Sequence, residues 1–226
     1  MPDDSAAPGP ATAGSLDVSA LLFDNDGVLV DSVASGNAAW TLWSHEYGLD
    51  PEVVLPMIHG RRAEDTVLTL LDESRHATAT RRINELELST AGATTAVRGA
   101  RDLLTSLDGV PWAVVTSAIR PLAIARLEAA GLPVPEVLVS AEQVGAGKPA
   151  PDGYLAAAAL LGTPPGECVV FEDAPAGVEA GYAAGVAEVV GVHLRPGQSR
   201  TSSLVADLSE VRARRTDTGV RLTWGR

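Results

Sequence analysis

Short apolar runs that each stop on a polar group constrain this chain more than any other feature. Val18-Ser19-Ala20-Leu21-Leu22-Phe23 halts at Asp24, the run from Pro111 ends on Thr116 and Ser117, and Cys168-Val169-Val170-Phe171 ends on Glu172 and Asp173. Such short, nearly unbroken apolar runs are the text of strands buried on both faces. Helical segments are predicted between them at 99–107, 121–130, 151–161 and 175–184, with further strands near 136–139 and 187–192. Strands alternating with helices give an α/β fold, a doubly wound parallel sheet, whose ligands gather at the carboxyl ends of the strands. The polar stops are therefore expected to converge on one crevice.

A block with hardly a strand signal separates the first run from the rest. Asp31 or Ser32 offers a helix cap, and Trp40, Trp43 and Tyr47 repeat at helical spacing until Gly48, a stripe that reads as core packing. Helical text continues through 53–57, 63–72 and 79–88. The expected organisation is an α-helical cap at 33–96 inserted into a core made of 17–32 and 97–226. A length of 226 residues suits one such core better than two full domains. Residues 1–16, rich in Ala, Pro, Gly and Ser, are expected to form a disordered tail, with order beginning at Val18. Near the end, Val220–Trp224 alternates like an edge strand, and Arg212-Ala213-Arg214-Arg215 reads as a solvated face.

Charge narrows the chemistry. With 29 acidic and 17 basic side chains, the net charge of −12 has the wrong sign for holding nucleic acid through its phosphates. No apolar run is long enough to span a bilayer, and the single cysteine, Cys168, has no intramolecular disulfide partner and reads as inert filling. The expectations are a cytoplasmic monomer with no nucleic-acid or membrane partner. Asp24, Asp26 and Asp173 are expected to crowd one volume. Two carboxylates about 4 Å apart repel by roughly 4 kcal/mol at an effective dielectric near 20, so either their pKa values rise or a cation lies between them. An all-oxygen ligand set favours Mg²⁺. Lys148, in Gly145-Ala146-Gly147-Lys148-Pro149, supplies a point charge for a phosphate. The Ser117 hydroxyl and the backbone amides of Asn25, Asp26 and Ala118 are candidate donors to phosphate oxygens.

Four ordered segments carry a family resemblance: Phe23-Asp24-Asn25-Asp26-Gly27-Val28, Val114-Val115-Thr116-Ser117, Gly147-Lys148-Pro149-Ala150-Pro151-Asp152 and Val170-Phe171-Glu172-Asp173-Ala174-Pro175-Ala176-Gly177. Together they resemble the haloacid dehalogenase superfamily, in its capped phosphatase branch. The resemblance implies Asp24 as a nucleophile that forms an aspartyl-phosphate and Asp26 as general acid and then base. It further implies Ser117, Ala118 and Lys148 on the phosphate, and Mg²⁺ held by Asp24, the Asp26 carbonyl and Asp173, with Glu172 in or beside that shell. Ile58-His59-Gly60-Arg61 and the third and fourth motifs are similar to sugar and polyol phosphatases, among them hexitol, 2-deoxyglucose-6-phosphate and glycerol-phosphate phosphatases. That likeness implies a small phosphorylated sugar or polyol as substrate, read by His59, Gly60, Arg61 and Arg62 of the cap. The alternatives are a β-phosphoglucomutase-like transfer, against which Gly36 stands where mutases carry a histidine, and a non-catalytic phosphate-binding module.

Overall fold

A computed structural model describes residues 13–217 and 219–225. Its centre is a six-stranded sheet in which every neighbouring pair is parallel. The first two strands of the chain are β1 (Gly14–Val18) and β2 (Ala20–Phe23), followed by the two-residue β3 (Val30–Asp31). The helical block contains α1 (Val33–Tyr47), α2 (Pro51–Val54), α3 (Ala63–Leu70) and α4 (Glu73–Thr90). It closes at β4 (Thr95–Ala96), which pairs antiparallel with β3, so the two strands through which the chain leaves and re-enters the sheet lie side by side. The alternating half follows as α5 (Ala100–Ser106), β5 (Trp112–Val115), α6 (Arg120–Ala129), β6 (Val137–Val139), α7 (Asp152–Leu160), β7 (Cys168–Glu172), α8 (Pro175–Ala183) and β8 (Glu188–Val192). The chain finishes with β9 (Leu204–Val205), β10 (Val211–Arg215) and β11 (Val220–Trp224).

The sheet order β6-β5-β2-β7-β8-β9 puts β2 between β5 and β7. Its four residues are all buried, as strands covered on both faces must be, and Phe23 stacks on Phe171 of β7. This order sets the polar ends of β2, β5 and β7 in adjacent positions at one edge. The helical block has its own apolar cluster, built on Trp40, Trp43, Val54, Val67, Ala79, Ile83 and Leu86. Trp43 is fully buried and donates its indole N–H to the Ala79 carbonyl, so the aromatic stripe packs α1 against α4.

The chain ends depart from expectation. Residues 1–12 of the expected tail lie outside the described residues, but Gly14–Val18 is ordered as β1 and pairs antiparallel with β11 along its whole length. The run from Val18 is therefore not one strand: it divides at Ser19 between two sheets. Val220–Trp224 is not an edge but the middle strand of the sheet β1-β11-β10, and the basic run 212–215 forms its outer strand. Composition missed this because the partner of β1 lies two hundred residues away. The Trp224 ring covers Gly14 so closely that a Cβ there would be 2.3 Å from it, which makes the glycine part of the packing.

Candidate active site

Asp24 follows the last residue of β2, and its amide donates to the Phe171 carbonyl of β7, which fixes the turn at the mouth of the sheet. Glu172 ends β7 and Asp173 follows it. One carboxylate oxygen from each of Asp24, Glu172 and Asp173 lies within 4.8 Å of the others. Glu172 joins the two aspartates in this cluster, and Asp26, which lines the same cavity as Asp24 and Asp173, adds its charge to theirs. The Asp26 side chain has partners of its own: its Oδ1 accepts from Ser32 Oγ at 2.5 Å and from Arg126 Nη1 at 3.0 Å.

Lys148 is nearly inaccessible and donates to Asp24 Oδ1 at 2.5 Å, with Glu172 Oε1 also at 2.5 Å. The same Glu172 oxygen accepts from the Tyr154 hydroxyl at 2.5 Å. Burial would lower the lysine's pKa, but the Asp24 and Glu172 carboxylates overcome it and hold the ammonium charged. Burial also raises the Asp24 carboxyl to about 7, with Lys148 opposing and Glu172 and Asp26 adding to the rise. Asp173 is pushed well above the usual carboxylate range, by burial first and then by Asp24 and Glu172.

Three crowded oxygen donors, with no histidine or cysteine among them, suit a hard divalent cation such as Mg²⁺. Gly27 sharpens the fit. Its φ is +79°, and a Cβ there would stand 1.9 Å from Asp173 Oδ2, so only glycine lets the Asp173 carboxylate come this close to the turn after Asp24.

A cavity of about 260 Å³ opens in front of Asp24, Asp26 and Asp173. Its far side is the helical block, including Trp40, Thr80, Asn84 and Glu87, and the segment His59-Gly60-Arg61-Arg62 lines it as well. Those four are not equivalent. Arg62 is committed to Asp65 through two hydrogen bonds of 2.8 Å and to the Val144 carbonyl at 3.4 Å. Arg61 has no side-chain partner among the described residues. The Gly60 carbonyl accepts from Ser117 Oγ at 3.0 Å, tying the helical block to the end of β5.

Two expected phosphate donors are therefore engaged. Ser117 spends its proton on Gly60, and the Ala118 amide donates to Thr116 Oγ1 at 3.0 Å, although both residues line the cavity. Lys148 lies not on this cavity but on a small adjoining one of about 20 Å³, behind Asp24.

Sequence reasoning missed Tyr154, Glu87 and Arg126. The last two carried a signal. Arg126 falls four residues after the buried Leu122 on α6, and Glu87 four after the buried Ile83 on α4, each a charge on an apolar helical face. A charge there is buried only when something pairs with it.

A model of the haloacid dehalogenase-like hydrolases matches residues 18–185. Hexitol phosphatase A of Escherichia coli (strain K12) is 48% identical over 170 residues, 73% of this chain and 79% of that protein. 2-Deoxyglucose-6-phosphate phosphatase 1 of Saccharomyces cerevisiae is 33% identical over 190 residues, covering 74% and 77%. Among solved structures, a hydrolase from Pseudomonas syringae superposes with a TM-score of 0.74 at 25% identity, over 84% of this chain and 93% of that one.

Proposed function

The chain belongs to the haloacid dehalogenase-like hydrolases, and on that premise we propose that it hydrolyses the monophosphate of a small sugar or polyol through a covalent intermediate on Asp24. The observation that carries this reading is the position of Asp24: at the carboxyl end of the central strand, facing a cavity of about 260 Å³, with Asp173 beside it and Lys148 behind it. Asp24 attacks phosphorus and displaces the alcohol. Asp26, two residues on and lining the same cavity, gives that alcohol its proton and later takes one from the attacking water.

Asp24 and Asp173 would hold Mg²⁺, with the Asp26 carbonyl as a further donor. When bound, the ion would neutralise charge on the transferring phosphoryl group. Glu172 serves mainly to keep Lys148 in place, since its Oε1 is already taken by Lys148 and Tyr154. Lys148 and Ser117 would meet the phosphoryl oxygens once the ester draws them from their present partners. Arg61 is the cap side chain best suited to the substrate, being the arginine of its segment left free.

A cavity of this size admits a hexitol or hexose but not a nucleic acid. Among the described residues no helix is long and apolar enough to cross a membrane. Cytoplasmic location and a monomeric state belong to the same proposal.

Asp24→Asn removes the nucleophile while preserving shape. Phosphate release from a panel of hexitol, hexose and glycerol phosphates with Mg²⁺ should fall at least about a thousandfold, with an unchanged circular dichroism spectrum. Full residual activity would reject Asp24 as nucleophile. Conversion of a hexose 1-phosphate into its 6-phosphate without release of inorganic phosphate would favour a mutase instead.

A further inference from the structure

Arg126 is a buried cation on the core helix α6, its side chain 5% exposed. Nη1 donates to Asp26 Oδ1 and Nη2 to Glu87 Oε1, each at 3.0 Å, and Nε has no partner. Three segments meet on this guanidinium: the turn after β2, the last turns of the cap helix α4, and α6. A buried arginine is tolerated only when charge partners compensate its lost hydration, and here two carboxylates do so. The arrangement is backed by Gly36 of α1, where a Cβ would lie 4.0 Å from both Arg126 Nη2 and Glu87 Oε1.

The consequence falls on Asp26. Its Oδ1 is fixed from two sides, by Ser32 and Arg126, while the residue lines the cavity. A carboxylate held by one oxygen keeps the other in a set direction. The planar fork of arginine suits this task in a way that a lysine point charge does not, because the two bonds leave in fixed directions. Because Glu87 grips the second arm of the same fork, the seating of the cap and the direction of the Asp26 carboxylate are mechanically joined.

We propose that Arg126 is a positioning residue for Asp26 and that Glu87, on the cap, holds Arg126 in register. The cap thus aims the acid/base carboxylate besides covering the substrate. The inference rests on the reading of Asp26 as acid and base given above.

The test exploits the leaving group. An alkyl phosphate needs a proton on the departing oxygen, whereas p-nitrophenyl phosphate loses p-nitrophenolate unaided, and kcat/KM reports the step in which that bond breaks. Arg126→Lys should lower kcat/KM for a hexitol phosphate roughly 10- to 100-fold and leave p-nitrophenyl phosphate within about threefold. Glu87→Gln, which keeps shape and removes charge, should act in the same direction with a smaller loss. It decides the matter alone if the lysine variant fails to fold. Equal losses on both esters, or a rise in KM for the hexitol phosphate with kcat intact, would overturn the proposal; the second would make Arg126 a substrate contact. If the wild-type protein released phosphate from neither ester, the hydrolase reading itself would fall.

Discussion

Lys148 is held by two carboxylates, and Asp26 by the Ser32 hydroxyl and the Arg126 guanidinium. The carboxyls of Asp24 and Asp173 carry the cost, since burial and mutual repulsion lift both above their unfolded values, Asp24 to about 7. Below about pH 4 both the folded and the unfolded chain hold the Asp24 proton. Between that point and pH 7 only the folded protein does, so the contribution of Asp24 to stability declines as pH rises through this window and is flat above it. A divalent cation bound there would stand in for the protons. The rise in Tm produced by Mg²⁺ should therefore be small at pH 5, grow to about pH 7 and level off, and Asp24→Asn should flatten it. Thermal melts with and without MgCl₂ across pH 5–8 measure this; a magnesium effect of the same size at every pH would contradict it.

Between β2 and β3 a single turn carries Asp24 and Asp26, and Gly27 is its critical element. Replacing it with alanine adds left-handed strain of about 1–2 kcal/mol and drives a methyl into Asp173. Gly48, with φ of +72° and nothing within 4 Å of its would-be Cβ, offers a control that carries the strain alone. In urea melts Gly27→Ala and Gly48→Ala should both lose stability. Only Gly27→Ala should weaken Mg²⁺ binding, by tenfold or more in calorimetric titration. At this scale the core helices and five of the six strands of the central sheet were legible in the sequence to within a residue or two, and the two-residue β9 was not. The cap helix α4 was legible only in part, expected at 79–88 and found at Glu73–Thr90. Its buried residues Ala79, Ile83 and Leu86 all lie within the expected stretch, and the preceding turns are mostly exposed and polar, leaving no apolar period to read.

Across the whole molecule, both ends of the described chain meet in one antiparallel sheet. β11 is flanked by β1 and β10, and Trp224 packs over Gly14 while remaining 6% exposed. Trp224 is absent from the residues around the cavity. Trp224→Ala should therefore cost about 3–5 kcal/mol of stability, as loss of a buried aromatic does, and leave kcat/KM within about twofold. Urea unfolding together with steady-state assays would separate the two, and a large loss of activity in a fully folded variant would refute that separation.

The sequence by itself determined the α/β alternation, the helical insertion and the identity of the groups at the strand ends, because burial period and strand-terminal polarity are written within a few neighbouring residues. Tertiary structure alone decided that Glu172 takes Lys148 and Tyr154. It also decided that Arg126 takes Asp26 and Glu87, and that β1 finds β11. Each of those pairings joins groups far apart in the chain, and which charge or strand meets which is settled by how the layers pack, where the cost of leaving a buried charge or a strand edge unpartnered selects the outcome.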